Sequence, residues 1–160
     1  MNIVRHFTML AVAAASLSCT VSAQETEIAR KDVPPAVLAS LEKAYPSAKV
    51  LEWEKEIHGG KLYYEAETVV GKVPRNILYS PDGTVVQIEE KIAADEIPTA
   101  VADAAKRQYP NATIRSAHKI IHGDTLEYAL ALTGGKQRKV VMHADGTIAS
   151  SEGKTAIDRK

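Results

Sequence analysis

Several things are scarce in this chain, and each scarcity excludes something. It has one cysteine, one tryptophan and one phenylalanine, and aromatics make up only 5% of its residues. A single cysteine, Cys19, cannot build a disulfide framework or a thiolate metal site. Charge of one sign is also missing, since 20 Lys and Arg face 20 Asp and Glu. No net field therefore draws the chain to nucleic acid or to an anionic membrane. Its apolar runs fall well short of the roughly 20 residues that a spanning helix needs. What is present, 45% hydrophobic and 25% charged residues, is the composition of an ordinary globular domain.

The first 23 residues have the pattern of a signal peptide. Arg5 and His6 precede an apolar stretch from Phe7 to Leu17, and Val21-Ser22-Ala23 offers a small-residue cleavage site. Cutting after Ala23 removes Cys19 and leaves no integral membrane segment, which places the mature chain in the periplasm. The alternative is lipidation at Cys19, but Ser16 stands where bacterial lipoprotein signals usually carry leucine. Residues 24–32 are polar and read as a flexible lead-in, and residues 153–160 as a polar tail.

Between them the chain repeats itself. Val33-Pro34-Pro35-Ala36-Val37 recurs as Ile97-Pro98-Thr99-Ala100-Val101, and Tyr45-Pro46-Ser47-Ala48 as Tyr109-Pro110-Asn111-Ala112. Ile57-His58-Gly59 returns as Ile121-His122-Gly123, and Asp82-Gly83-Thr84 as Asp145-Gly146-Thr147. So many matches in one order mark a duplication, with repeats at 33–92 and 93–152.

Each copy opens with a helix. Proline is harmless in a first turn, where its missing N–H would have no partner anyway. Val37, Leu41, Ala44 and Tyr45 keep helical spacing, as do Val101, Ala105 and Tyr109. Pro46 and Pro110 then end the helices, because a proline drives the residue before it out of helical geometry. Strands follow. Leu62, Tyr64, Ala66 and Thr68 alternate with Lys61, Tyr63, Glu65 and Glu67, and Leu126, Tyr128, Leu130 and Leu132 with Thr125, Glu127, Ala129 and Ala131. Gly59-Gly60, Gly71-Lys72 and Asp82-Gly83, with Gly123-Asp124, Gly134-Gly135 and Asp145-Gly146, supply hairpin turns. The fold class expected is α+β, two tandem repeats, each one helix packed on a four-stranded antiparallel meander sheet. The first strand of each copy has a parity conflict: Val50 and Ile57 are both apolar at opposite parity, as are Ile114 and Ile121. Either a bulge or a change of face resolves it.

Val-Pro-x-Ala-Val, then Tyr-Pro-x-Ala, an alternating strand and an Asp-Gly-Thr hairpin together resemble the PepSY-like family of periplasmic proteins, which is related in fold to the β-lactamase-inhibitor protein. The likeness runs from Val33 to about Glu152, in two copies. It implies a duplicated helix-on-sheet unit whose free sheet face forms a concave contact surface, and it brings no catalytic residues with it.

His118 and His122 are four apart, but in a strand that separates them by more than ten ångströms. With His58 and His143 they read as edge or turn residues, and no metal site is expected. Glu52, Glu54 and Glu56 alternate along one strand and Glu65 and Glu67 along the next, with Lys49, Lys55 and Lys61 interleaved. That pattern reads as a solvated face. There is no Gly-x-Ser-x-Gly elbow, and no enzyme or cofactor is expected. Trp53 and Tyr63 lie on neighbouring strands, and their counterparts, Ala117 and Glu127, show that the repeat does not require aromatics there. Aromatic anchors suit interfaces. The function expected is therefore a periplasmic non-catalytic binding or inhibitory module. It would dock an exported or envelope protein or peptide on an open sheet face, with Trp53 and Tyr63 as anchors and Glu65 and Glu67 as rim. The alternative is a small-ligand or metal-responsive envelope protein that uses the acidic strands or the histidines.

Overall fold

The structure is a computed structural model that describes residues 24–58, 60–134 and 138–151. The expected signal peptide, Cys19, Gly59, Gly135 and the 153–160 tail lie outside the described residues.

Two prolines set the helix starts. Helix α1 (Pro35–Ala44) follows Pro34 and helix α2 (Thr99–Gln108) follows Pro98. Neither cap residue can donate a backbone N–H, and the Pro34 and Pro98 carbonyls accept the first helical bonds from Val37 and Val101. The helices end at Tyr45 (φ −137°, ψ 68°) and Tyr109 (φ −131°, ψ 65°), both turned out of helical geometry before the next proline.

The strands make one antiparallel sheet, hydrogen-bonded in sequence order: β1 (Gln24–Glu27), β2 (Lys49–His58), β3 (Lys61–Val70), β4 (Val73–Tyr79), β5 (Val85–Ile92), β6 (Thr113–His122), β7 (Thr125–Thr133), β8 (Arg138–His143) and β9 (Ile148–Ser151). β5 pairs directly with β6, Ile88 with Ile121 and Ile92 with Ala117, so the sheet is continuous across the middle of the chain. The described residues are thus α+β, two α-helices on a large antiparallel sheet. The expected flexible lead-in is a correction: Gln24–Glu27 pairs with β2, Glu25 opposite Glu56 and Glu27 opposite Glu54. Extended backbone beside an open strand edge gains hydrogen bonds that polarity alone does not forecast.

A bulge settles the parity conflict. The β2–β3 register slips between Val50 and Glu52, and the β6–β7 register slips in the same way between Ile114 and Ser116. The inserted Leu51 is 51% exposed. Val50 consequently packs on the same side as Trp53.

The helices cover one face. Under α1, Val33, Val37 and Leu41 meet Trp53, Ala66, Ile77 and Tyr79. Under α2, Val101, Ala104 and Ala105 meet Ala117, Leu130, Leu132, Val140 and Met142. A charged seam lies between these two cores on the same face: Glu90 takes the Arg75 guanidinium and, at 3.2 Å, Lys119. Burial works against Glu90's charge, but these cations hold its carboxyl below the usual range. Gly83 and Gly146 fasten each last hairpin to its helix. Both have positive φ, +85° and +84°, and a Cβ on either would lie 2.5 Å from the carbonyl oxygen of Ala36 or Ala100. Asp82 and Asp145 close these turns by accepting the Thr84 and Thr147 N–H groups at 3.0 and 2.8 Å.

Candidate functional site

The strand registers dictate what the helix-free face carries. Trp53 pairs with Ala66 on the helix side, so its neighbours in β2, Glu52, Glu54 and Glu56, lie on the other face opposite Glu67, Glu65 and Tyr63. Glu25 and Glu27 join that face from β1, and Asn76 and Leu78 from β4. Lys55 is on the opposite side of β2, while Lys49 and Lys61 sit at strand ends, exposed. Alternation in sequence becomes separation by face in a strand, which removes Lys55 from the carboxylates, while Lys49 and Lys61 share their face only at the ends of β2 and β3.

Nor is this acidic face simply solvated, which corrects the expectation. Glu56 is 0% and Glu65 1% exposed. One oxygen of each carboxylate is committed: Glu56 Oε2 pairs with His58 Nε2, and Glu65 Oε1 accepts Asn76 Nδ2 at 2.5 Å. The remaining oxygens, Glu56 Oε1 and Glu65 Oε2, are buried with no hydrogen-bond partner among the described residues. Carboxylate oxygens of Glu54, Glu56 and Glu65 all lie within 4.8 Å of one another. Burial, followed by the Glu56 charge and by the hydrogen bond that Glu65 gives to Glu56 once it carries a proton, pushes Glu65 up to about 10. Glu54 is raised to about 7 by burial and by Glu52, Glu25, Glu56 and Glu67 around it.

The same face behaves differently over the second half of the sheet. Glu89 is buried but accepts His118 Nδ1 at 2.8 Å, with Lys139 Nζ at 3.9 Å. Burial opposes its charge, yet these partners hold Glu89 below the usual carboxylate range. Glu127 has His143 at 3.3 Å, and Ile120, Ala129 and Val141 make a small apolar cluster beside them. Acidic residues are thus compensated on β5 to β8 and crowded together on β1 to β3.

The PepSY-like family model, described as "Putative beta-lactamase-inhibitor-like, PepSY-like", matches residues 19–68 and 62–148. The chain belongs to this family. Among solved structures, it is similar to a BLIP-like protein from Bacteroides fragilis, at 19% identity over 74% of this chain and 85% of that one, with a TM-score of 0.60. A DUF2874 family protein from Bacteroides uniformis matches at 19% identity over 74% and 87%, TM-score 0.64. A Bacteroides eggerthii chain described among "putative periplasmic proteins" matches at 20% identity over 75% and 88%, TM-score 0.64. At such identities the likeness is one of fold. No curated protein matches the chain. No helix among the described residues is long and apolar enough to cross a membrane.

Within this PepSY-like fold the four residues expected to bind are divided. Trp53 is only 5% exposed and lies under α1, a correction to its reading as an exposed anchor: the bulge at Leu51 puts it in phase with the core. It floors a cleft of about 490 Å³ lined by Leu38, Leu41, Tyr45 and Val50, with Arg30 and Glu42 paired at 2.6 Å beside it. Tyr63 does lie on the helix-free face, half-buried against the His58 ring at 5.9 Å. Glu65 is buried at the centre of the acidic group rather than on a rim, whereas Glu67 is half-buried beside it. The histidines divide as well. His122 and His143 are exposed, as edge residues should be, but His58 and His118 are enclosed against buried carboxylates. In sequence Glu54 and Glu56 read as part of a solvated face, although their alternation opposite Glu65 was the signal for a cluster.

Proposed function

We propose that this protein is a non-catalytic periplasmic binding module that docks a protein or peptide on the helix-free face of its first four strands. The carrying observation is the run of carboxylates there, Glu25, Glu27, Glu52, Glu54, Glu56, Glu65 and Glu67, without lysines between them on that face. A crowd of like charges costs stability, and a face that keeps them favours a cationic partner, which would be steered in by the field and paired on arrival. Tyr63 is the aromatic on that face and would be its anchor, with Glu67 at the rim. Export by the 1–23 signal peptide would bring the chain to such a partner, and the family description of an inhibitor-like module is in keeping with it.

The reading also takes the chain as a tandem duplication, one helix per four-stranded meander. Repeated proline caps, the paired bulges at Val50/Glu52 and Ile114/Ser116, and those at Leu78/Tyr79 and Val141/Met142 support this. So do two separate helix-side cores.

A photo-crosslinking residue at position 63, compared with one at Leu38 on the helix side, tests the docking face in the intact envelope. Crosslinks from position 63 that weaken with salt and with Glu52→Lys plus Glu67→Lys are expected. Crosslinks from position 38 alone would refute the assignment.

A further inference from the structure

We propose that Glu54, Glu56 and Glu65 form a binding site for a hard divalent cation of the calcium class at the centre of the acidic sheet face. Three carboxylates from two adjacent strands bring oxygens within 4.8 Å of one another, a spacing that a cation held at about 2.3–2.6 Å from each oxygen can span. Proximity of acids alone would mean little. The second observation is what their buried oxygens do. Glu56 is held from outside by His58 and Glu65 by Asn76, so each side chain is oriented through one oxygen. The other oxygen of each, Glu56 Oε1 and Glu65 Oε2, is buried and has no partner among the described residues. Carboxylates oriented by outer partners, with their inner oxygens unspent, have the arrangement of metal ligands supported from behind.

The donor set decides the class of ion. All three ligands are carboxylates, which suit calcium, magnesium or manganese better than soft metals. Calcium tolerates irregular geometry and keeps water in the positions the protein leaves open, whereas magnesium demands a near-ideal octahedron. Two strands at a fixed spacing favour the tolerant ion. Glu54 is half-buried, which leaves a way in from solvent. This inference does not depend on what docks on the face: the ion would bind the free chain.

Terbium, a calcium surrogate whose emission is sensitised by nearby aromatic rings, tests the site directly. Tyr63 pairs with Glu56 on the same face and serves as the antenna. Saturable emission from the chain in solution is expected, displaced by calcium chloride. Glu56→Gln and Glu65→Gln should each weaken terbium binding at least tenfold, and Glu54→Gln several-fold. Emission that does not saturate, or that all three variants leave unchanged, would overturn the proposal. Displacement by zinc chloride but not by calcium chloride would overturn the assignment to a hard ion. Amide spectra of the unmodified chain supply a reading that needs no variant. Calcium should shift the Asn76 side-chain amide, which donates to Glu65, and shifts confined to other regions would refute the site.

Discussion

Replacing Glu65 by glutamine should stabilise the protein at neutral pH, and the size of the gain can be worked out. Glu65 is 1% exposed, and burial together with Glu56 pushes its carboxyl up to about 10 from 4.5. In the unfolded chain the group ionises above 4.5; in the folded chain it keeps its proton. Folding then binds a proton throughout that window, so stability is fully present below 4.5 and is lost as pH rises toward 10. Each pH unit removes about 1.4 kcal/mol, which by pH 7 amounts to about 3 kcal/mol. Glutamine does not titrate. Its oxygen can still accept Asn76, and its amide can take over the hydrogen bond that the Glu65 proton gives to Glu56. Urea unfolding followed by Trp53 fluorescence at pH 5, 7 and 9, with EDTA present to exclude metal, measures the difference. Glu65→Gln should be more stable than the parent at pH 7 by about 1–3 kcal/mol, with a gap that widens with pH. A gap that stays constant across pH, or a variant less stable at pH 7, would refute this account of the acidic face.

Three further outcomes follow from the packing. Gly83→Ala or Gly146→Ala should cost about 1–3 kcal/mol from the positive-φ backbone and more from contact with the helix carbonyls 2.5 Å away, read from thermal melts. Trp53→Ala should cost about 3–5 kcal/mol as a cavity under α1; a variant that kept full stability but lost binding would restore the exposed-anchor role. The Tyr79 hydroxyl is buried without a hydrogen-bond partner among the described residues, and burial with Tyr45 nearby raises its pKa. Tyr79→Phe should therefore be neutral or stabilising by up to about 1 kcal/mol, measured by chemical unfolding.

Much of this architecture was legible in the residues. The prolines at 34, 46, 98 and 110 bracket both helices, since proline starts a helix easily and cannot follow one. The glycines at Gly83 and Gly146 announce their turns, and strict alternation marks β3 and β7. All of these are local rules, in which a residue constrains its immediate neighbours, so sequence suffices. Repetition of Val33-Pro34 as Ile97-Pro98, with the motifs after each, also tied the chain to its family.

Tertiary structure alone decided which face each residue of β2 occupies. A bulge of one residue at Leu51 reverses every side chain beyond it, and this sent Trp53 under the helix and Glu54 and Glu56 to the far side. Burial of Glu56 and Glu65 depends on strands brought alongside by pairing, with β1 supplying Glu25 opposite Glu56. Charges that alternate in one dimension were sorted by the pleat into a face without lysines between its acids, and no count of acids and bases along the chain reveals that separation.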